Sequence, residues 1–203
     1  MFGSLRELVE AILIALFVFV TLQICVQNFR VEGASMEPNI LEGQYLLVNK
    51  IVYRSWNPAV FRRIPIISRS NENEMVHLFH PPHRGEVVVF HSPKDNSRDF
   101  VKRVIGIPGD KVEILDGTVY LNGQAINEPY VLDPGNSTMQ LLTVPPLSFF
   151  VLGDNRERSN DSRDWGVVPR KDLVGKAWLT YWPSNMWGVI QGFSPEPRKQ
   201  DAQ

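Results

Sequence analysis

Ser35, Lys102 and the polar stretch from Gly153 to Gly166 are the parts of this 203-residue chain whose residue types fit covalent chemistry. Ser35 lies in Gly33-Ala34-Ser35-Met36-Glu37-Pro38, a proline-stiffened turn in which only Met36 is bulky. A serine hydroxyl is a weak nucleophile until a neighbouring base takes its proton. Histidine usually serves, and the chain has four. His77, His80 and His83 crowd into His77-Leu78-Phe79-His80-Pro81-Pro82-His83, where the prolines forbid a helix. Such a cluster could bind a metal, but spacings of this kind recur by chance. His91 ends an apolar run and reads as an exposed strand-end residue. No Gly-x-Ser-x-Gly elbow surrounds Ser35. Lysine remains, and Lys102 stands in Phe100-Val101-Lys102-Arg103-Val104-Ile105, where burial would favour the neutral amine. The third piece, Gly153–Gly166, is too charged and too rich in hydrogen-bonding side chains for a plain linker.

These groups need elements to hold them. Ala11 to Phe29 is uncharged and close to the roughly 20 residues that cross a hydrocarbon core as a helix. It lacks the basic start, short apolar core and A-x-A-like site of a cleaved signal, so it reads as a retained anchor. Ser35 follows Arg30 by five residues, which keeps it within about 18 Å of the end of the apolar run. The serine is therefore expected to work at a membrane surface. One arginine on each side of the span, Arg6 and Arg30, leaves its orientation balanced under the positive-inside rule. Cys25 is a lone cysteine within the run and closes no intrachain disulfide. A net charge of -1 and a pI near 6.4 give no electrostatic ground for a nucleic-acid partner.

Beyond Pro38 the pattern is that of strands. Tyr45–Val48, Glu86–Phe90, Phe100–Ile107, Leu147–Leu152 and Leu173–Tyr181 are apolar runs bounded by turn residues. Lys111 to Ile126 alternates, with Asp116-Gly117 placed as a type I′ hairpin turn and a second turn at Asn122-Gly123. Residues 53–82 show no period and carry Arg54, Arg62, Arg63 and Arg69, as expected of an insertion or flap. The expected organisation is a polar start (1–10), a transmembrane helix (11–29), a β-rich domain (30–194) and a polar tail (195–203). The aromatic end, with Trp178, Tyr181, Trp182, Trp187 and Phe193, fits either a core or a membrane-interface belt.

Taken in order, four stretches resemble the boxes of type I signal peptidases, the membrane-bound Ser/Lys leader peptidases. Ser35-Met36-Glu37-Pro38 is similar to the nucleophile box and Arg84–Phe90 to the apolar strand. Val101–Asp110 is similar to the lysine box, and Gly153–Gly166 to the closing loop. The resemblance implies a mostly β fold: an N-terminal transmembrane helix, then an antiparallel β-sheet catalytic domain with a smaller inserted sub-domain. It also implies that Ser35 attacks the scissile bond and that Lys102 is the general base. Ser159 would orient the Lys102 amine, and Asp161 with Arg163 would form an ion pair under the site, with Asp154 nearby. The oxyanion would be met by the Ser35 N–H and, since Gly33 replaces the serine of one branch of the family, by a backbone donor there. Val31, Met36, Ile40, Phe100 and Val101 would line pockets for small side chains. The implied substrates are signal-peptide-bearing preproteins cut after an Ala-x-Ala-like pattern, with membrane lipid as a second partner. No metal, cofactor or nucleic acid is called for, and the domain is expected outside the cytoplasm, on the periplasmic or lumenal side. A self-cleaving Ser/Lys regulator and a silent tethered β-domain are the competing readings. The anchor and the absence of a helix-turn-helix pattern oppose the first, and intact Ser35, Lys102 and Ser159 oppose the second.

Overall fold

The N-terminal apolar run folds as one helix, α1 (Phe2–Cys25), and stops earlier than the expected Phe29. Residues 26–29 leave the helix because they have a partner. Strand β1 (Val26–Arg30) pairs antiparallel with β2 (Tyr45–Asn49), from Val26 opposite Asn49 to Arg30 opposite Tyr45. The Lys50 N–H donates to the Cys25 carbonyl at 2.9 Å and fixes the junction. Phe29, expected in the anchor, packs instead against the domain core. The stretch Arg6–Cys25 is long and apolar enough to cross a membrane and contacts nothing in the domain that buries it. The coordinates, a computed structural model, describe residues 2–53, 55–56, 76–77, 80–94, 98–193 and 195–198.

The β structure thus begins at Val26, where β1 starts, ahead of the expected Arg30. A shortened form beginning at Val26 keeps β1, whereas one beginning at Val31 strips β2 of its pairing and uncovers part of the core. We expect the shorter form to melt about 5 °C or more below the longer one, read by thermal denaturation.

Chain order gives β3 (Ser55–Trp56) and β4 (Val76–His77), a two-stranded pair at the base of the expected insertion. Residues 57–75, with Arg62, Arg63 and Arg69, lie outside the described residues, as does Arg54. Next come β5 (Val87–His91) and β6 (Asp99–Gly106), then β7 (Lys111–Leu115), β8 (Thr118–Leu121), β9 (Gln124–Asn127) and β10 (Met139–Thr143). After these are β11 (Ser148–Leu152), the short helix α2 (Ser162–Trp165), β12 (Val168–Pro169), β13 (Leu173–Trp182), β14 (Gly188–Val189) and β15 (Glu196–Pro197). The large sheet has the order β1-β2-β13-β5-β6-β11-β12, with β14 added to β13. A five-stranded sheet, β10-β7-β8-β9-β15, forms the smaller sub-domain; its strands β7–β10 are inserted between β6 and β11, and β15 joins from the C-terminal segment. Every described pairing is antiparallel.

Val87-Val88-Val89-Phe90 is apolar throughout because both faces of the large sheet are covered. Val87 and Val89 join the core around Met36, Ile40, Leu46 and Val48, while Val88 and Phe90 join the one around Val104, Phe149 and Val151. The hairpin turns follow their residue types. Asp116 and Gly117 have φ of 46° and 75°, and Asn122 and Gly123 have 54° and 82°, the positive pair that a type I′ turn requires. Arg84 holds Asp110 through two contacts of 2.8 and 2.6 Å, tying the start of β5 to the turn that leaves β6.

Candidate active site

Ser35 is half-buried at the start of the turn that follows β1. The Glu37 N–H donates to the Ala34 carbonyl and the Ile40 N–H to the Met36 carbonyl, so residues 34–40 form a tight, self-bonded loop. Met36 and Ile40 point inward and fasten the loop to the core, each 1% exposed. Lys102 comes from the middle of β6, opposite Val88, and is 2% exposed. Its Nζ lies 2.7 Å from Ser35 Oγ and donates to the Val101 carbonyl at 3.0 Å. The Phe100 ring centroid is 5.3 Å from the amine. Burial pulls the Lys102 pKa down to about 8, opposed by the charges of Asp161 and Asp154. A buried lysine that exchanges its proton near neutral pH, touching a serine hydroxyl, can serve as a general base toward that serine.

The closing loop is held by Asp161, which is 0% exposed. It caps α2 and accepts from the Gly153 N–H at 3.0 Å. Its two carboxylate oxygens also meet the Arg163 guanidinium at 2.8 and 2.9 Å, so the pair expected from the resemblance is formed. The Asn155 N–H donates to the Ser35 carbonyl at 3.1 Å, which stitches this loop to the nucleophile turn. Ser35's own N–H meets no backbone acceptor among the described residues, and Gly33 has a φ of 84° beside it.

The Ser159 hydroxyl departs from expectation. It does not bond Lys102; Ser159 Oγ is buried and has no partner among the described residues. The amine donates instead to the Val101 carbonyl on its own strand. Ser159 packs instead on Gly153, where a Cβ would stand 2.2 Å from Ser159 Oγ and 2.5 Å from the Ser35 carbonyl oxygen. Only glycine leaves room there for the serine to lie beside the Ser35 backbone.

A cavity of about 640 Å³ opens at the serine, lined by Phe29 to Glu32, Ser35, Met36 and Arg98 to Lys102. Val31, Met36, Phe100 and Val101 are on its wall as expected. Ile40 is not: bonded one turn beyond Met36, it lies behind the wall within the core. Both walls are strand edges. Among the described residues β1 pairs only with β2, and residues 99–102 of β6 pair only with β5, because β11 begins its pairing at Arg103. An extended peptide laid between them can add main-chain hydrogen bonds to either edge, the mode called strand addition.

The sequence points to no role in the site for Asn39, Arg103 or Tyr130, and it places Phe29 in the anchor. Arg103 is 1% exposed and holds Asp154 with two contacts, Nε to Oδ1 at 2.8 Å and Nη2 to Oδ2 at 2.6 Å. Asn39 Nδ2 donates to the same Asp154 carboxylate at 2.8 Å. The available signal was a pair of consecutive cations, Lys102 and Arg103, in an otherwise apolar strand. Consecutive strand residues leave opposite faces, so both faces needed a reason to bury a charge.

Of the histidines, His80 and His83 stack with centroids 4.6 Å apart, and with Glu86 they place possible ligand atoms within 4.8 Å. The Glu86 carboxylate is already engaged by Lys176, Tyr53 and the His83 N–H. Burial would raise its pKa, but these partners together hold it below the ordinary value. His91 is exposed and pairs with Asp99 at 2.6 Å, away from the Ser35–Lys102 contact.

The profile described as signal peptidase, peptidase S26 matches residues 5–182. The chain is 32% identical to the probable signal peptidase I-1 of Synechocystis sp. over 203 residues, covering 96% of this chain and 91% of that protein. It is also 32% identical to signal peptidase IB of Staphylococcus aureus over 216 residues, covering 96% of this chain and 98% of that one. A crystal structure of a signal peptidase I from Enterococcus faecalis aligns with a TM-score of 0.42 at 37% identity, over 48% of this chain and 97% of the other. The serine turn, lysine strand and closing loop of this chain, and its helix from Leu5 on, fall inside the matched region, and this chain belongs to the signal peptidase family, peptidase S26.

Proposed function

We propose that this protein is a membrane-anchored serine endopeptidase that removes signal peptides from translocated preproteins, with Ser35 as nucleophile and Lys102 as base. The observation that carries the assignment is the 2.7 Å contact between Lys102 Nζ and Ser35 Oγ in a buried setting. With the amine neutral, Ser35 donates its proton to Nζ as Oγ attacks the carbonyl carbon before the cut. The tetrahedral oxyanion accepts from the Ser35 N–H and a second backbone donor at Gly33. Lys102, now an ammonium, gives the proton to the leaving amine, and water then releases the signal peptide from Ser35 by the reverse exchange. The Ser159 hydroxyl, which has no partner among the described residues in the resting site, turns to the amine as substrate covers the cleft, and Asp161 with Arg163 fixes the loop beneath it. The anchor α1 keeps the cleft at the lipid surface, on the side of the membrane outside the cytoplasm where preproteins emerge. The chemistry assigned here uses no metal.

The cleft selects small residues before the cut. Val101→Phe narrows the wall opposite Val31. A library of precursors varied at the residue before the cut should shift from Ala toward Gly as the preferred residue. An unchanged preference would remove Val101 from the pocket.

Ser159→Ala removes an orienting hydroxyl that makes no bond among the described residues in the resting site. An unpaired buried hydroxyl is destabilising by about 1–3 kcal/mol, so the variant should melt no lower than the parent. Its turnover should still drop by about tenfold. A full rate at equal stability would leave Ser159 with a packing role only.

A further inference from the structure

The matched family region ends at Trp182, yet the chain continues into a segment that returns to the site. The Phe193 N–H donates to the Gly85 carbonyl at 3.3 Å, and the approach is so close that a Cβ on Gly85 would lie 1.6 Å from the Phe193 carbonyl oxygen. Gly85 also has a φ of 83°, a conformation that other residues rarely adopt. Further on, β15 adds to β9 and the Arg198 N–H donates to the Ala125 carbonyl at 2.7 Å. Residues 191–193 therefore dock on Gly85 beside the large sheet, and residues 195–198 add to the edge of the sub-domain sheet.

Residues 191–193 also reach Arg103. The Gln191 carbonyl accepts from Arg103 Nη1 at 3.1 Å, as the Gly85 carbonyl does at 2.8 Å. The guanidinium carbon lies 4.3 Å from the Tyr130 ring centroid and 5.4 Å from that of Phe193, and the two rings are 5.5 Å apart. Arg103 in turn fixes both oxygens of Asp154, and Asp154 accepts from Asn39. Asn39 also donates to the Tyr130 carbonyl at 2.8 Å. Asn39 belongs to the turn that carries Ser35, and Arg103 is the next residue after Lys102. One connected set of contacts thus runs from the C-terminal segment to both halves of the Ser35–Lys102 pair.

We propose that residues 191–193 are a latch that positions Ser35 and Lys102 through Arg103, Asp154 and Asn39. Gln191 supplies a carbonyl and Phe193 a ring, and neither touches the substrate cleft. The assignment rests on Lys102 being the base. Loosening the latch frees Arg103 to drift from Asp154, whose charge then acts on the amine less compensated. The other charges facing Lys102 are Asp161, neutralised by Arg163 on the closing loop, and Arg30, Glu32, Arg98 and Asp99 along the cleft. The latch contacts none of these, so the change at Asp154 sets the direction: the ammonium is favoured and the rate limb moves alkaline.

The test is cleavage of a precursor by the full chain in detergent, normalised to folded protein by circular dichroism, for the parent, Phe193→Ala, Phe193→Leu and Phe193→Tyr. We expect kcat of Phe193→Ala to fall about tenfold or more with KM held within about twofold. Its pH–rate limb should move upward by about half a unit. Phe193→Leu, which keeps apolar bulk and safeguards folding, should move both readouts in the same directions, and Phe193→Tyr should restore them. A lower melting temperature with unchanged kcat and an unmoved limb in either Ala or Leu would reduce the segment to a structural strap and overturn the proposal. If Lys102 were not the base, the parent itself would show no limb dependent on Lys102, a failure separable from that of the latch.

Discussion

Lys102→Met is expected to fold at least as well as the parent and to lose cleavage by about a thousandfold or more. Methionine keeps the unbranched stem that packs in the interior and removes only the amine, so it avoids the cavity that alanine would leave. Ser35→Ala should lose the same activity, and the double variant should be no worse than either single one, because two halves of one proton-transfer unit do not add. The stability readout has the opposite sign. A lysine held at about 8 instead of its ordinary 10.5 opposes folding at neutral pH by about 3 kcal/mol, from 1.36 kcal/mol per unit. Removing the amine relieves that opposition, less about 1 kcal/mol for each hydrogen bond lost to Ser35 and Val101. The melting temperature should therefore hold or rise by a few degrees. Near-normal turnover in either single variant would end the Ser/Lys assignment.

The second large effect is the pH dependence. Lys102 is lowered in the fold, so the neutral amine gains population as pH rises through about 8. Cleavage efficiency should climb about tenfold per unit below that value and level off above it. The linkage sign agrees. Between the folded value of about 8 and the unfolded value of 10.5, the unfolded chain binds more protons, so Lys102's opposition to folding fades as pH rises through that window. Below 8 both states are protonated and the opposition is complete. His91→Ala should leave the limb in place, since His91 pairs with Asp99 on an exposed strand end. A limb near 6.5 that disappears in His91→Ala would transfer the base to histidine.

The chemistry was legible in the sequence because each piece is local. A serine in a short stiff turn, a lysine in an apolar strand and a carboxylate-rich loop each declare themselves within a few residues. The hairpin turns at Asp116-Gly117 and Asn122-Gly123 were legible for the same reason, as positive φ at both positions favours those residue types. The apolar run continues to Phe29, but the helix ends at Cys25. Hydropathy cannot tell a lipid-facing residue from one buried in protein, and Val26–Arg30 pairs with β2, a strand that starts fifteen residues after Arg30.

What only the tertiary structure decided is who faces whom across long sequence separations. Ser35 and Lys102 stand 67 residues apart, and Asn39 and Asp154 stand 115 apart. No local period encodes those contacts. Ile40 fits a pocket lining by type and spacing, but the loop from Met36 turns it inward to the core. Ser159 fits a partner for the lysine, yet the Val101 carbonyl on the lysine's own strand is nearer to the amine. Arg103 could be named from sequence only as an unexplained charge. Its meaning depends on a carboxylate 51 residues later, two aromatic rings and a carbonyl 88 residues away, which come together only when the two sheets and the C-terminal segment close around it. The sequence by itself determined which groups could react; the packing of two sheets determined which of them meet and in what electrostatic setting, because burial and charge partners are properties of the folded contact and not of the chain.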